Sequence, residues 1–151
     1  IAGGKGKKLD RFLESERERG LTNISHVEWI NFAELPSYMR GASLCLGGPF
    51  GGTNQAMRVI TGKALQFLAC ACPTVVGLSA ETRALFTDRE DCLLVEQGSP
   101  AAIAEAIRWA YAHPQALADI GARGRRVYEQ RYSMAVLKSN VAGVVEELQA
   151  G

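Results

Sequence analysis

A glycine-rich loop between two short apolar runs constrains this chain more than any other feature. The apolar run 44–46 leads into the loop 47–54 (GGPFGGTN), and a second apolar run, 74–76, follows one helix pattern later. Short continuous apolar runs are typical of parallel strands that are buried on both faces. Ligands bind at the carboxyl ends of such strands, where glycine-rich turns present backbone N–H groups to anions. The pattern therefore predicts an anion or nucleotide site where the first of these strands ends.

Strand and helix patterns alternate along the chain. Strands are predicted at 24–30, around 44–46, at 74–76 and at 92–95, and helices at 8–19, 34–39, 62–70, 79–85, 100–112, 114–128 and 133–149. In the sixth of these helices Gly121 and Gly124 are predicted weak points. Alternation of this kind predicts an α/β fold, a Rossmann-like doubly wound parallel sheet with helices on both faces, formed by residues 1–151 as a single domain.

Composition excludes several classes of function. Seventeen basic and sixteen acidic residues leave a formal charge of +1, which gives no reason to expect nucleic acid as a partner. No apolar run is long enough to span a membrane, so we expect a cytoplasmic protein. The four cysteines lie in apolar patterns and are expected to be buried free thiols, with no metal bound. The chain begins Ile-Ala-Gly-Gly, like the end of a buried strand, and this predicts a fragment of a longer protein.

Polar and basic residues in and after the loop are the candidate ligand contacts. In the loop these are Gly51, Gly52, Thr53 and Asn54, and beyond it Arg58, Lys63 and Gln66. Lys63 and Gln66 are three residues apart and share a helix face. A lysine in the first turn of a helix is unfavourable unless an anion neutralises it. Two other interpretations remain open, namely that the glycines only permit tight packing and that the cations belong to a solvated polar stripe.

Other catalytic patterns are weak. The segment Gly4-Lys5-Gly6-Lys7-Lys8 lacks the spacing of a phosphate-binding P-loop, and Leu9 occupies the third glycine position of a dinucleotide fingerprint. An NAD-dependent Rossmann domain is therefore the least favoured alternative. No nucleophilic triad and no pair of carboxylates suited to glycoside hydrolysis stands out, and no catalytic residue is assigned.

Two segments resemble the C-terminal domain of group 1 glycosyltransferases. They are residues 27–76 (VEWINFAELPSYMRGASLCLGGPFGGTNQAMRVITGKALQFLACACPTVV) and residues 91–114 (DCLLVEQGSPAAIAEAIRWAYAHP), and the likeness extends from the start of the chain to about residue 130. The resemblance implies half of a GT-B fold, in which two Rossmann-like domains face each other across a cleft. It also implies a nucleoside-diphosphate sugar as donor substrate and no other cofactor. By the same resemblance, this chain is a fragment that lacks the first βα unit of its domain and the N-terminal acceptor domain.

The resemblance also suggests roles for individual residues. Members of the family usually carry two glutamates eight residues apart, and this chain has Arg58 and Gln66 at those positions, like a variant branch of the family. By resemblance Gln66 contacts the donor ribose, Gly51, Gly52 and Thr53 line the phosphate and sugar site, and Arg58 and Lys63 supply positive charge to the diphosphate. The loss of both glutamates leaves a second hypothesis open, a non-catalytic module that binds a nucleotide or sugar.

Overall fold

The computed structural model of the protein describes residues 3–150, and the side chains of residues 3–149. The described backbone forms two compact units, one that extends up to Tyr38 and one that begins at Met39. The first unit contains helix α1, Lys7–Glu18, and helix α2, Leu35–Arg40, crosses the division.

The strand predicted at residues 24–30 is wrong. Val27 occupies a single bridge position, and the rest of the segment has no regular secondary structure. The carbonyl oxygen of Val27 accepts a hydrogen bond from the N–H of Gly3 at 2.8 Å. A strand needs a neighbouring backbone along its length, and the described residues provide this segment with one such contact. The strand end predicted at the start of the chain falls partly on residues 1 and 2, which lie outside the described residues.

The second unit contains a three-stranded parallel sheet in the order β1-β2-β3. Its strands are β1, Cys45–Leu46, β2, Thr74–Leu78, and β3, Leu93–Glu96. Leu46 pairs with Val75, and Val75 pairs in turn with Leu93. The helices of this unit are α3, Gly62–Ala69, α4, Ala80–Leu85, α5, Pro100–Ala112, α6, Pro114–Arg131, and α7, Met134–Ala150.

Two apolar clusters cover the two faces of the sheet. Val75 and Val76 are both fully buried, and successive strand residues point to opposite faces. Val75 packs in one cluster with side chains of α5 and α6, including Ala110 and Ile120. Val76 packs in the other with Leu68 of α3. The predicted doubly wound sheet with helices on both faces is therefore confirmed.

Short polar side chains begin four of the helices. Each accepts a hydrogen bond from a backbone N–H in the first turn of the helix. The pairs are Thr61 with Ala64, Ser79 with Thr82, Ser99 with Ala102, and Ser133 with Val136. None of the helices within residues 3–150 has both the length and the apolar character needed to cross a membrane.

Gly121 and Gly124 are points of close packing in α6, so their interpretation as weak points is wrong. Both are buried. A Cβ atom at Gly124 would stand 2.5 Å from the carbonyl oxygen of Asp91 and 2.7 Å from Cδ2 of Leu68, and one at Gly121 would overlap the carbonyl oxygen of Ala71. Only glycine lets α6 approach these backbone segments so closely.

Candidate ligand site at the carboxyl end of the sheet

The glycine-rich loop leaves the sheet at the carboxyl end of β1. The N–H of Gly47 donates to the carbonyl oxygen of Val75 at 2.9 Å, which extends the pairing one residue beyond the strand. The chain then turns at Gly48, with a φ of 63°, and at Pro49, which follows a cis peptide bond. The candidate loop therefore begins at the edge of the sheet where ligands of parallel α/β folds bind.

Packing explains one glycine of this region but not the two in the middle of the loop. A Cβ atom at Gly47 would stand 2.9 Å from Cβ of Ala64 and 2.9 Å from Cγ2 of Thr74, so tight packing explains this residue. Gly51 and Gly52 are exposed, and a Cβ atom at either would have no neighbour within 4 Å. Neither has a positive φ. Neither packing nor backbone conformation therefore requires glycine at these two positions, which leaves their backbone open to a ligand.

Thr53 and Asn54 follow the two open glycines and are both exposed. The Thr53 hydroxyl oxygen accepts a hydrogen bond from the N–H of Ala56 at 3.2 Å and so begins the short 3₁₀ turn Ala56–Arg58. The Asn54 side chain has no hydrogen-bond partner among residues 3–149, so its amide is free to meet a ligand.

Thr61 ties the loop to the start of α3. Its hydroxyl donates to the carbonyl oxygen of Gly47 at 2.6 Å, and the Thr61 hydroxyl oxygen in turn accepts a hydrogen bond from the N–H of Ala64 at 3.2 Å. Lys63 lies in the first turn of this helix and Gln66 one turn later, and both side chains are exposed. Lys63 forms no ion pair with any side chain that the structure describes. The unfavourable position of this cation at the positive end of the helix dipole is thus not relieved within the described residues.

Arg58 faces a different surface. It lines an open hollow of about 530 Å³ together with Glu81, Tyr132 and apolar side chains, and Lys63 and Gln66 are not among the lining residues. The pKa of the Glu81 carboxyl is lowered, first by a hydrogen bond from its own backbone N–H and then by one from Ser79, with a smaller contribution from the charge of Arg58. Arg58 therefore lies beside a carboxylate, which reduces its attraction for an anion.

Gln97, which is not among the contacts predicted from the sequence, also holds the loop. It directly follows β3, and its amide nitrogen donates to the carbonyl oxygens of Pro49 at 3.2 Å and Ala56 at 3.1 Å. The next residue, Gly98, donates its N–H to the carbonyl oxygen of Phe50 at 2.7 Å. The rule that directed attention to the end of β1 applies equally to the end of β3, so the position of Gln97 was a usable signal.

All four cysteines are free thiols. Cys45, Cys72 and Cys92 are buried and Cys70 is half-buried. Burial raises the pKa of Cys45 to about 12. A thiol that stays protonated at neutral pH is a poor nucleophile, which argues against a nucleophilic role for Cys45. Among the described residues no group of three or more His, Cys, Asp and Glu side chains is arranged to hold a metal ion.

Comparison with known proteins defines the class. A family model described as glycosyl transferase-like matches residues 3–136. The chain therefore belongs to the glycosyl transferase-like family, which confirms the resemblance noted in the sequence. No curated protein sequence matches the chain.

Solved structures share the fold at low sequence identity. Sucrose-phosphate synthase from Thermosynechococcus elongatus is 20% identical, with a TM-score of 0.80 over 99% of this chain and 38% of its own. HepE from Anabaena in complex with UDP-glucose is 16% identical, with a TM-score of 0.78 over 97% of this chain and 40% of its own. The C-terminal domain of the group 1 family glycosyl transferase LpcC from Francisella tularensis is 18% identical, with a TM-score of 0.69 over 84% of this chain and 63% of that one.

These comparisons confirm the predicted Rossmann-like fold. This chain spans about two fifths of the length of the first two proteins. The roles of Gly51, Gly52, Thr53, Asn54, Arg58, Lys63 and Gln66 stay predictions.

Proposed function

We propose that this chain binds a nucleoside-diphosphate sugar and forms the donor half of a glycosyltransferase. Its membership of the glycosyl transferase-like family supports the reaction class. The match to a HepE structure that contains UDP-glucose supports the donor class. The acceptor hydroxyl would be bound by another domain of the same protein, since the chain spans only part of its structural relatives. We expect the sugar transfer to be a step of glycan biosynthesis and to take place in the cytoplasm. We expect any contact with a membrane to be peripheral and to be made by the other part of the same protein.

The open backbone at Gly51 and Gly52 is the observation that carries this proposal. Both residues are exposed at the carboxyl end of β1, and neither packing nor a positive φ accounts for the missing side chain. A bound diphosphate accounts for it, because its oxygens approach backbone N–H groups most closely where no Cβ intervenes. Thr53 and Asn54 would add side-chain hydrogen bonds to the sugar or phosphate.

Lys63 is the cation best placed to serve the leaving group. It lies in the first turn of α3, whose free N–H groups and dipole also attract an anion. When the bond between the anomeric carbon and the diphosphate oxygen breaks, its electron pair stays on the diphosphate. Positive charge fixed beside that oxygen stabilises the transition state more than the bound donor. Gln66, one turn along the same face, would contact the ribose hydroxyls, whereas Arg58 would contribute less because Glu81 competes for it.

Donor binding by the full-length protein tests this proposal. Isothermal titration with a panel of nucleoside-diphosphate sugars should identify at least one that binds. Lys63→Gln should weaken that binding about tenfold, corresponding to about 1.4 kcal/mol for a lost charged contact. Lys138→Gln, at an exposed position of α7, is the matched control and should leave the affinity unchanged. Equal affinities for the two variants would contradict the role of Lys63, and no binding by any donor would contradict the function.

One observation favours a second candidate, a module that binds a donor without transferring the sugar. By the resemblance noted in the sequence, Arg58 and Gln66 stand where the family usually has two glutamates, and in the structure both side chains are exposed. Turnover separates the two functions, because a module would bind the donor and release no free nucleoside diphosphate in the presence of any acceptor. A glycosyltransferase would release one nucleoside diphosphate for each sugar transferred.

A further inference from the structure

We propose that Gln97 is a positioning residue that sets the shape of the ligand loop, defined here as residues 49–56. This inference rests on the proposed function, because the loop is the segment assigned to the donor. Gln97 itself does not contact the donor in this account. It acts through the backbone carbonyl groups at the two ends of the loop.

The hydrogen bonds of Gln97 bracket the loop. Its amide nitrogen carries two hydrogens, and these reach the carbonyl oxygens of Pro49 at 3.2 Å and Ala56 at 3.1 Å. The two acceptors are seven residues apart and enclose Gly51, Gly52, Thr53 and Asn54. One planar amide therefore fixes the separation of the loop ends, and with it the direction in which the N–H groups between them point.

The surroundings of Gln97 are shaped to admit it. Gly77 of β2 lies beneath its side chain, and a Cβ atom there would stand 2.8 Å from the Gln97 amide nitrogen and 2.9 Å from its Cγ. On the other side Gly98 has a φ of 77° and donates its N–H to the carbonyl oxygen of Phe50 at 2.7 Å. Two glycines and a third hydrogen bond thus place the end of β3 against the loop.

The remaining polar atom of Gln97 argues for a role beyond stability. The side-chain oxygen Oε1 is buried and has no hydrogen-bond partner among the residues that the structure describes. Burial of an unpaired acceptor costs free energy that an apolar side chain of similar length would avoid. The two hydrogen bonds that hold the ends of the loop explain why a glutamine occupies this position despite that cost.

The test compares Gln97→Met with the matched control Gln115→Met in the full-length protein. Methionine keeps the length of the side chain and removes both donors, and Gln115 is an exposed residue of α6. In the ligand-free protein, the hydrogen-bonded amide hydrogens of Ala56, Met57 and Gly98, whose acceptors lie in the loop, should exchange at least tenfold faster in Gln97→Met, while those of α5 and α6 keep their rates. The KM for the donor should rise at least tenfold with a much smaller change in kcat, because the loop must be ordered before the donor binds.

Gln97→Glu provides a second variant if methionine prevents folding. A carboxylate of the same shape cannot donate to either carbonyl, so its loop should also exchange faster, and protonation at low pH should restore part of the protection. Unchanged loop exchange in a folded Gln97 variant would overturn the inference, as would acceleration spread evenly over the second unit. If the wild-type protein binds no donor, the proposed function fails, and the exchange rates alone then decide whether Gln97 holds the loop.

Discussion

Gln97 lies directly over Gly77, so that a Cβ atom at residue 77 would stand 2.8 Å from the Gln97 amide nitrogen. The same atom would overlap the carbonyl oxygen of Pro49, to which Gln97 donates. The absence of a side chain at Gly77 of β2 thus creates the space in which the end of β3 and the ligand loop meet. At this point β2, the turn after β3 and the ligand loop are in close contact and are also linked by hydrogen bonds.

Gly77→Ala should therefore displace the loop as well as destabilise the protein. We expect a loss of about 1–3 kcal/mol in the free energy of unfolding, the usual cost of overpacking a buried site. Gly62→Ala is the matched control, because a Cβ atom there has no neighbour within 4 Å, and it should stay within about 0.5 kcal/mol of wild type. Urea denaturation measures both. Equal stability of the two variants would contradict the close approach at Gly77.

The approach of α6 to Asp91 and Leu68 leads to a second prediction. Gly124→Ala places a Cβ atom 2.5 Å from a carbonyl oxygen and should lower the free energy of unfolding by about 1–3 kcal/mol. Gly143→Ala, at an open position of α7, should instead raise it by about 0.5–1 kcal/mol, since alanine is the better helix former. Thermal denaturation of the pair should show shifts of opposite sign, and shifts of the same sign would refute the packing at Gly124.

Ala71 occupies a position that suits glycine better. Its φ is 57°, and the N–H groups of Ala71 and Cys72 close the end of α3 on the carbonyl oxygens of Leu68 and Phe67 at 2.9 and 3.0 Å. Ala71→Gly should stabilise the protein by about 1 kcal/mol, because the left-handed conformation is costly for a residue with a Cβ atom. Ala118→Gly, at an exposed position of α6, is the control and should cost about 0.5–1 kcal/mol. A destabilised Ala71→Gly variant would be the contrary result.

The buried thiol of Cys45 predicts a loss of stability at alkaline pH. Burial raises its pKa from 9.0 to about 12, so between these values the thiol ionises in the unfolded chain but not in the folded one. The unfolded state then binds fewer protons, and the free energy of unfolding falls as pH rises, by at most about 1.4 kcal/mol per pH unit for this group. Urea denaturation at pH 8 and pH 10 should show a shallower fall for Cys45→Ala than for wild type. Identical slopes would show that Cys45 does not contribute.

Local hydrogen bonding made much of the fold predictable. Thr61, Ser79, Ser99 and Ser133 begin helices because their side chains bond a backbone N–H three residues on, a rule that needs no knowledge of the rest of the molecule. The continuous apolar run 74–76 likewise predicted a strand buried on both faces.

Features that depend on distant partners were not predictable in the same way. Gly121 and Gly124 looked like weak points because the sequence does not reveal which backbone segments approach α6. The place of Gln97 after β3 was a usable signal, but its bonding partners are 41 and 48 positions away and are visible only once the strands lie in one sheet. The segment 24–30 alternates like a strand, but its described neighbours provide one backbone hydrogen bond. In the sequence, Arg58 and Lys63 were equivalent candidate cations. In the structure, Arg58 lines a hollow together with Glu81, and Lys63 does not line that hollow.

A crystal structure of the full-length protein with a bound nucleoside-diphosphate sugar tests the central claim most directly. We predict diphosphate oxygens within about 3.2 Å of the backbone nitrogen of Gly51 or Gly52 and of the Lys63 ammonium group, at the carboxyl end of β1. A diphosphate bound away from residues 51–66, with Gly51 and Gly52 still open to solvent, would contradict the account.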